Sequence, residues 1–402
     1  MKKALVFYLY GCRNAGDMAI CLGLIEVLKK QNYDVTFVSR FGDAEPEYIR
    51  SCEYIHSYYP QVNVKPGIFK FDREGSVSQK LLSYMHGLCK VVNPVKDKRI
   101  KELIAKSDVV FFNGGNLLRA DKWADYLRLC ALFYPINMAY KAKKNIICMP
   151  QSTAQINKIG HFLLNRYLKK FDQIYIRESD SYQKISDTFP HIRFKKSTDL
   201  AFFIRDNDHA AVCFRQKYPD LINKKKSNVA LILRHSGIGD IGLLPEERRR
   251  VLMKVLRRFI VDHPENAYRI VVQTEKDRAV SSAFIGMLPK ETDVKLVEEH
   301  DAFLLRELYK QMQFTVSMRL HACILSLSAL TPVIGIFDHA WGLKNSGILS
   351  DFAMPFVFPQ NTDCVDINDL VRQLPASEMI DAKIKKYADA LLNLEEDIEH
   401  EK

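Results

Sequence analysis

The chain has no C-x-x-C pair and no Cys/His grouping at metal-ligand spacing: its nine cysteines stand scattered at positions 12, 21, 52, 89, 130, 148, 213, 323 and 364. That excludes a cysteine-built metal framework, and an odd, dispersed set reads as reduced thiols in a cytoplasmic protein. There is no G-x-S-x-G, Walker or zincin motif, no repeat of solenoid length and no low-complexity tract, so array architectures drop out. Long apolar runs are also missing. The stretch 322–337 is interrupted by Thr331-Pro332 and falls short of the roughly 20 residues a spanning helix needs, so it reads as a buried helix turning into a buried strand. The opening M-K-K-A-L-V-F-Y-L-Y-G-C imitates a signal peptide. Its apolar part, 4–10, is at the short limit for such a segment, and no small-residue cleavage pattern precedes Arg13, so a buried first strand is expected.

What remains is an ordinary globular balance. The 402 residues are 47% hydrophobic and 27% charged, enough for two or three domains and unlike disordered or multipass membrane chains. Fifty-nine Lys and Arg against 48 Asp and Glu leave +11, a charge that attracts phosphates, anionic sugars, acidic lipid headgroups or nucleic acid without choosing among them.

Strand and helix patterns alternate. Apolar runs at 4–10, 35–38, 109–112, 146–149 and 174–176 read as strands, with helical spacing at 18–30, 122–140, 161–170 and 179–188. A second series begins at 229–233 and continues through 268–273, 294–296, 314–316 and 333–336, with helices at 246–262, 278–287, 302–312 and 321–330. Between them 205–228 is polar and charged and reads as a linker, while 48–106 is irregular. The expected fold is α/β, two Rossmann-like domains facing across a cleft: 1–204, 229–375, and a terminal helix with an acidic tail at 376–402 that packs back across them.

Open α/β sheets bind ligands beyond the carboxyl ends of their strands, which singles out four loops. Gly11 to Asp17 offers two glycines and the start of a helix to a polar or anionic ligand. Asn113-Gly114-Gly115-Asn116 follows the strand VVFF and leaves backbone amides bare; the first of these two loops, taken alone, is more often a tight turn than a site, and the second reads equally as a turn. Met318-Arg319-Leu320-His321 places a guanidinium and an imidazole between a buried strand and a buried helix, a costly location unless something anionic or polar uses them, although His321 alternatively braces the turn. Arg234-His235-Ser236-Gly237 puts another guanidinium where a strand opens. Two such arginines make a small dianionic ligand the natural guest. Asp206-Asn207-Asp208 is formally a D-x-D metal pattern but reads as a solvated turn. The basic runs at 224–226 and 248–250 read as linker and exposed helix face, and His161, His191, His209, His263 and His300 lack partners at ligand spacing.

Taken in order, these loops resemble the polysaccharide pyruvyl transferase family. The likeness runs through G-x-x-N-x-G-D-x-A-I at 11–20, N-G-G-N-L at 113–117, P-Q-S at 150–152, I-R-E-S-D-S at 176–181, D-L-A-F at 199–202, M-R-L-H-A at 318–322 and P-V-I-G-I at 332–336. Asn113 stands where family members often carry a third glycine, and F-D-H-A-W-G-L-K at 337–344 replaces the commoner Tyr-x-x-Lys, placing Lys344 three residues late. The resemblance implies a GT-B-like pair of domains and transfer of pyruvyl from phosphoenolpyruvate to two sugar hydroxyls as a cyclic ketal, with phosphate released. It implies donor handling by Arg319, Leu320, His321, Arg234 and Lys344. The chemistry of that donor adds the expectation that His321 supplies the proton to C3, with the acceptor beside Asn14, Gly16, Gly115 and Asn116 and Asp17 as a base. No metal and no cofactor beyond the co-substrate phosphoenolpyruvate is expected. The partners expected are a sugar or lipid-linked glycan acceptor and, from the charge, an anionic membrane face on the cytoplasmic side. A GT-B glycosyltransferase using a nucleotide sugar is the alternative, with Glu298, Glu299 or Asp301 as ribose partner. A nucleic-acid protein is disfavoured because the basic residues are dispersed.

Overall fold

The first apolar run is an inner strand. β1 (Lys2–Leu9) is buried from Ala4 onward and hydrogen-bonds on both edges, Val6 lying opposite Phe37 on one side and Phe111 on the other. In the computed structural model, which describes residues 1–69, 98–222, 226–235, 246–338, 344–358 and 366–392, two parallel sheets carry the chain. The first adds β2 (Tyr33–Ser39), β3 (Asn63–Lys65), β4 (Val109–Phe112), β5 (Gly115–Ala120), β6 (Asn145–Ile156), β7 (Gln173–Ile176) and β8 (Lys195–Lys196). Its order is β3-β2-β1-β4-β6-β7-β8, with β5 on β6. Continuous burial of β4 and β7 explains why those runs do not alternate: strands covered on both faces need apolar side chains on both. Aromatic layers consolidate this core, Phe112 stacking on Phe133 at 5.2 Å and Phe133 on Tyr167 at 4.5 Å.

The second sheet comprises β9 (Ser227–Ile232), β10 (Asn266–Val272), β11 (Val294–Glu298), β12 (Met312–Ser317), β13 (Val333–Ile336) and β14 (Phe356–Val357), in the order β11-β10-β9-β12-β13-β14. Chain contacts gather into two units: Met1–Cys12 with Ile20–Leu200 and the chain from Asp389, and Arg13–Ala19 with Ala201–Ala388. The short turn before and into the first helix (Ala15–Lys30) therefore goes with the second unit.

Three expectations change. The stretch 205–228 is not an open linker but carries helices Asp208–Lys217 and Pro219–Ile222. Asn207 caps the first, accepting from the Ala210 amide at 3.0 Å, and Ala210, Phe214 and Leu221 are buried. A three-residue apolar stripe was hidden in a polar composition. Asp206-Asn207-Asp208 is thus a helix start: Asp206 pairs with Arg306 and with Lys310 at 2.6 Å. The irregular region holds a helix at Pro46–Tyr58, β3, and a helix at Lys98–Lys106, while 70–97 lie outside the described residues. Finally, N-G-G-N is not a loop throughout, because β5 begins at Gly115. The terminal helix spans Ser377–Leu392, and the acidic tip beyond it is outside the described residues. Among the described residues no helix is long and apolar enough to cross a membrane.

Candidate functional site

In the second unit, β9 ends just before Arg234, β10 just before Asp277 and β12 just before Arg319. All three strands are parallel, so their carboxyl ends share one edge. Arg319 meets Asp277 with a bidentate fork, Nε to Oδ2 at 2.8 Å and Nη2 to Oδ1 at 2.7 Å. The carboxylate is 1% exposed and further held by the His235 amide at 3.0 Å and the Thr274 hydroxyl at 2.8 Å. Arg234 is buried beside this pair. Its burial, then the Arg319 charge, pull its guanidinium down to about 10, with Asp277 opposing them. Two guanidiniums thus stand beside one buried carboxylate. Arg319 spends two of its five N–H donors on Asp277, so the rest of its fork can meet a second anion.

Ser317 sets the turn that carries Arg319 forward: its hydroxyl accepts from the Arg319 amide and donates to the Arg319 carbonyl, both at 3.0 Å. Arg319 is the N-cap of the helix Leu320–Ser328, so Leu320 is buried beneath the turn and His321 lies in the first helical turn. The imidazole of His321 packs directly on Gly16. A methyl group added there would fall inside the ring, so glycine is required by close approach. Asn14 stiffens the same turn, its Oδ1 accepting from the Gly16 amide at 3.1 Å, and Asp17 follows in partial exposure. Sequence reasoning put Asn14, Gly16 and Asp17 on the acceptor side, but they share the second unit with Arg319 and His321. Lys344 opens the helix Lys344–Asp351; 339–343 and Ser236-Gly237 lie outside the described residues.

Gly115 and Asn116 belong to the first unit. Gly115 has φ 141°, and a Cβ there would stand 2.8 Å from the Tyr10 hydroxyl, so this position also requires glycine. Tyr10 donates to the Gly114 carbonyl at 2.7 Å, and Gln151 donates to the Asn113 carbonyl at 2.6 Å while accepting from the Leu117 amide at 3.2 Å. Asn113, the departure from the family pattern, is fully buried and bridges the Tyr8 carbonyl and the Gly114 amide, both at 2.8 Å. Its amide supplies bonds that a glycine could not. Asn116 Oδ1 is buried without a hydrogen-bond partner among the described residues.

Three other motifs form one buried network. Arg177 bonds Asp199 at 2.5 Å and Glu178 at 3.2 Å. Ser152 donates to Glu178 at 2.7 Å, and Ser181 bonds both Glu178 and, at 3.0 Å, the Thr153 amide. P-Q-S, I-R-E-S-D-S and D-L-A-F therefore tie the middle of β6 to the carboxyl end of β7. Asp277 escaped sequence reasoning, although T-E-K-D at the end of β10 obeys the same strand-end rule as the chosen loops. Asn345 also escaped: it is buried, with neither amide atom hydrogen-bonded among the described residues, and no sequence signal marks it.

No curated protein sequence matches the chain. Among solved structures, UDP-GlcNAc 2-epimerase from Neisseria meningitidis is similar at TM-score 0.54 and 12% identity over 98% of this chain and 95% of that one. The same enzyme from Methanocaldococcus jannaschii gives 0.52 and 10%, over 98% and 93%. A trehalose-6-phosphate synthase gives 0.50 and 10%, over 100% and 99%. At such identities the likeness establishes the fold, α/β and GT-B-like. The sequence model of the family described as polysaccharide pyruvyl transferase matches residues 14–336, a span that takes in both glycine turns, the buried Arg177 network and the Arg319-His321 turn; the chain belongs to the polysaccharide pyruvyl transferase family.

Proposed function

We propose that the protein moves the pyruvyl group of phosphoenolpyruvate onto two hydroxyls of a sugar, forming a cyclic ketal and releasing phosphate. The observation that carries this reading is the convergence of Arg234 and Arg319 on Asp277, two residues from an imidazole fixed against Gly16. Phosphoenolpyruvate carries phosphate and carboxylate on adjacent atoms, and C3 must gain a proton before C2 becomes electrophilic. The two guanidiniums hold the anions, each charge-assisted contact contributing on the order of 1.5–3 kcal/mol. His321 gives its proton to C3, positive charge develops at C2, and a sugar hydroxyl attacks there, passing its proton to Asp17. The C2–O bond to phosphate breaks with its electron pair, and phosphate leaves with the proton from Asp17. The second hydroxyl closes the ring and returns a proton to His321. Positioned acid catalysis of this kind contributes about 10²- to 10⁴-fold.

The nucleotide-sugar alternative asks for an acidic ribose partner, and the acids offered for it are engaged elsewhere. Glu299 holds Lys217 at 2.7 Å and Tyr218 at 2.9 Å, Asp301 caps the helix Ala302–Lys310, and Glu298 pairs with Arg278 at 3.2 Å. The acceptor is a sugar, free or carried on a lipid-linked glycan. The excess positive charge suits work beside an anionic cytoplasmic leaflet. Incubation with phosphoenolpyruvate and a panel of sugars, following phosphate release and the mass gained by the sugar, tests donor and acceptor together. His321→Ala is expected to lose turnover while keeping donor binding; wild-type turnover in that variant removes His321 from its role.

A further inference from the structure

Among the described residues the first unit gathers three neighbouring arginines, two of them on one carboxylate. Arg40 follows β2 directly, Arg119 lies near the end of β5, and Arg128 projects from the helix Trp123–Lys141. Asp125 is the acid among them. Arg119 Nε reaches Asp125 Oδ1 at 2.8 Å, while Arg128 Nε stands 3.6 Å from that oxygen. The other carboxylate oxygen accepts the Asp121 and Lys122 amides at 3.3 Å each, so Asp125 is committed to its own helix start as well. Arg128 donates to the Arg119 carbonyl at 2.8 Å, yet its buried Nε has no hydrogen-bond partner among the described residues. Arg40 lies on the face of Tyr10, its Cζ 5.4 Å from the ring centre. Tyr10 in turn bonds the Gly114 carbonyl and lies against Gly115. The cluster therefore adjoins the Gly114–Gly115–Asn116 segment.

Among the described residues, three guanidiniums stand against one carboxylate, two positive charges more than it balances. Burial, with Arg119 and Arg40 adding to it against Asp125, pulls Arg128 down to about 10. The Arg128–Asp125 pair, 21% and 9% exposed, is recessed and weakly screened, while Arg119 beside it is 45% exposed. A lone carboxylate would be met by one guanidinium fork; a surplus of two matches a phosphate ester or diphosphate, whose oxygens accept from several forks at once. An anionic bilayer, by contrast, reads exposed cations rather than recessed ones.

We propose that Arg40, Arg119 and Arg128 form a second anion site, in the first unit, that takes a phosphate or diphosphate ester carried by the acceptor sugar. The acceptor half of this inference rests on the pyruvyl transfer proposed above; the site itself does not.

The test is calorimetric binding of inorganic pyrophosphate to the full chain in an Arg319→Gln background, which silences the anion site of the second unit. One binding event is expected to persist there, to weaken roughly ten- to a hundredfold on adding Arg128→Gln or Arg40→Gln, and to fade with salt. Arg119→Gln alters a side chain 45% exposed and keeps the test valid should Arg128→Gln fail to fold. Affinity within twofold of the background in both the Arg119 and Arg128 variants overturns the proposal. So does arginine-dependent binding to phosphatidylserine vesicles without pyrophosphate binding. In turnover, Arg119→Gln is expected to raise KM for phosphorylated acceptors about tenfold and leave neutral glycosides unchanged. Comparing a sugar 1-phosphate, a nucleoside diphosphate sugar and a prenyl diphosphate sugar identifies which ester brings the charge. Pyrophosphate binding that obeys these arginines in a protein that turns over no acceptor sinks the transfer reading and leaves the anion site standing.

Discussion

Replacing Asp277 by Asn separates a donor site from a purely structural ion pair. The carboxylate is buried and accepts four hydrogen bonds, two of them from Arg319. Breaking a buried pair costs about 3–5 kcal/mol. Since Arg319 keeps 22% exposure, the lower end, about 3 kcal/mol, is expected without ligand. For a domain of this size that lowers Tm by about 6–12 °C. Donor binding moves the other way. An anion on the same guanidiniums sits roughly 6 Å from the carboxylate, where two unit charges repel by about 3 kcal/mol at an effective dielectric of about 20. With that repulsion removed, Arg234 and Arg319 present a stronger positive field to the anion. Asp277→Asn should therefore bind phosphoenolpyruvate roughly 10- to 100-fold tighter and gain more Tm from it than the wild type, while turnover falls because nothing braces the Arg319 fork. Calorimetry and thermal melts with and without phosphoenolpyruvate measure both effects. A ligand-induced Tm gain equal to or below that of the wild type would refute the idea that these guanidiniums meet the donor.

Gly16→Ala forces a methyl group into the His321 ring, an overpacking that costs about 1–3 kcal/mol. The ring must turn, so kcat should fall at least about tenfold with the phosphoenolpyruvate Kd nearly unchanged; an unaltered kcat would mean that this packing does not orient the acid. Arg234→Gln removes one of the two guanidiniums beside Asp277, so phosphoenolpyruvate affinity measured by calorimetry should fall roughly ten- to a hundredfold; an unchanged affinity would show that Arg234 does not meet the donor. Arg177→Met leaves Asp199 and Glu178 buried without their cation, a loss of about 3–5 kcal/mol in urea unfolding. Stability within about 1 kcal/mol of the wild type would show that the carboxylates do not need it.

Both sheets were legible from apolar runs because a doubly covered parallel strand must be apolar on both faces, and β4 and β13 begin and end where those runs do. Helix Asp208–Lys217 was not, because its core face is only Ala210 and Phe214 while a capping Asn207 and exposed charges dominate the composition. Reading strand-end loops singled out Arg234 and Arg319, but reading them one at a time hid the carboxylate that lies beside both. A guanidinium at one strand end and a carboxylate at another are 42 positions apart in the Arg319–Asp277 pair, and no local period relates them. The same holds for Gly16 and His321, whose mutual need appears only where the turn meets the imidazole. P-Q-S, I-R-E-S-D-S and D-L-A-F carried the family resemblance without a stated role, and the structure gathers Arg177, Glu178 and Asp199 from two of them into one interior ion-pair network. What separates the two kinds of arginine is charge balance. Arg177 meets two carboxylates, whereas Arg319 and the neighbouring Arg234 lie beside one, and Arg119 and Arg128, with Arg40 next to them, lie beside another. Guanidiniums gathered in this way, seen among the described residues of each unit, present forks that an anion can meet.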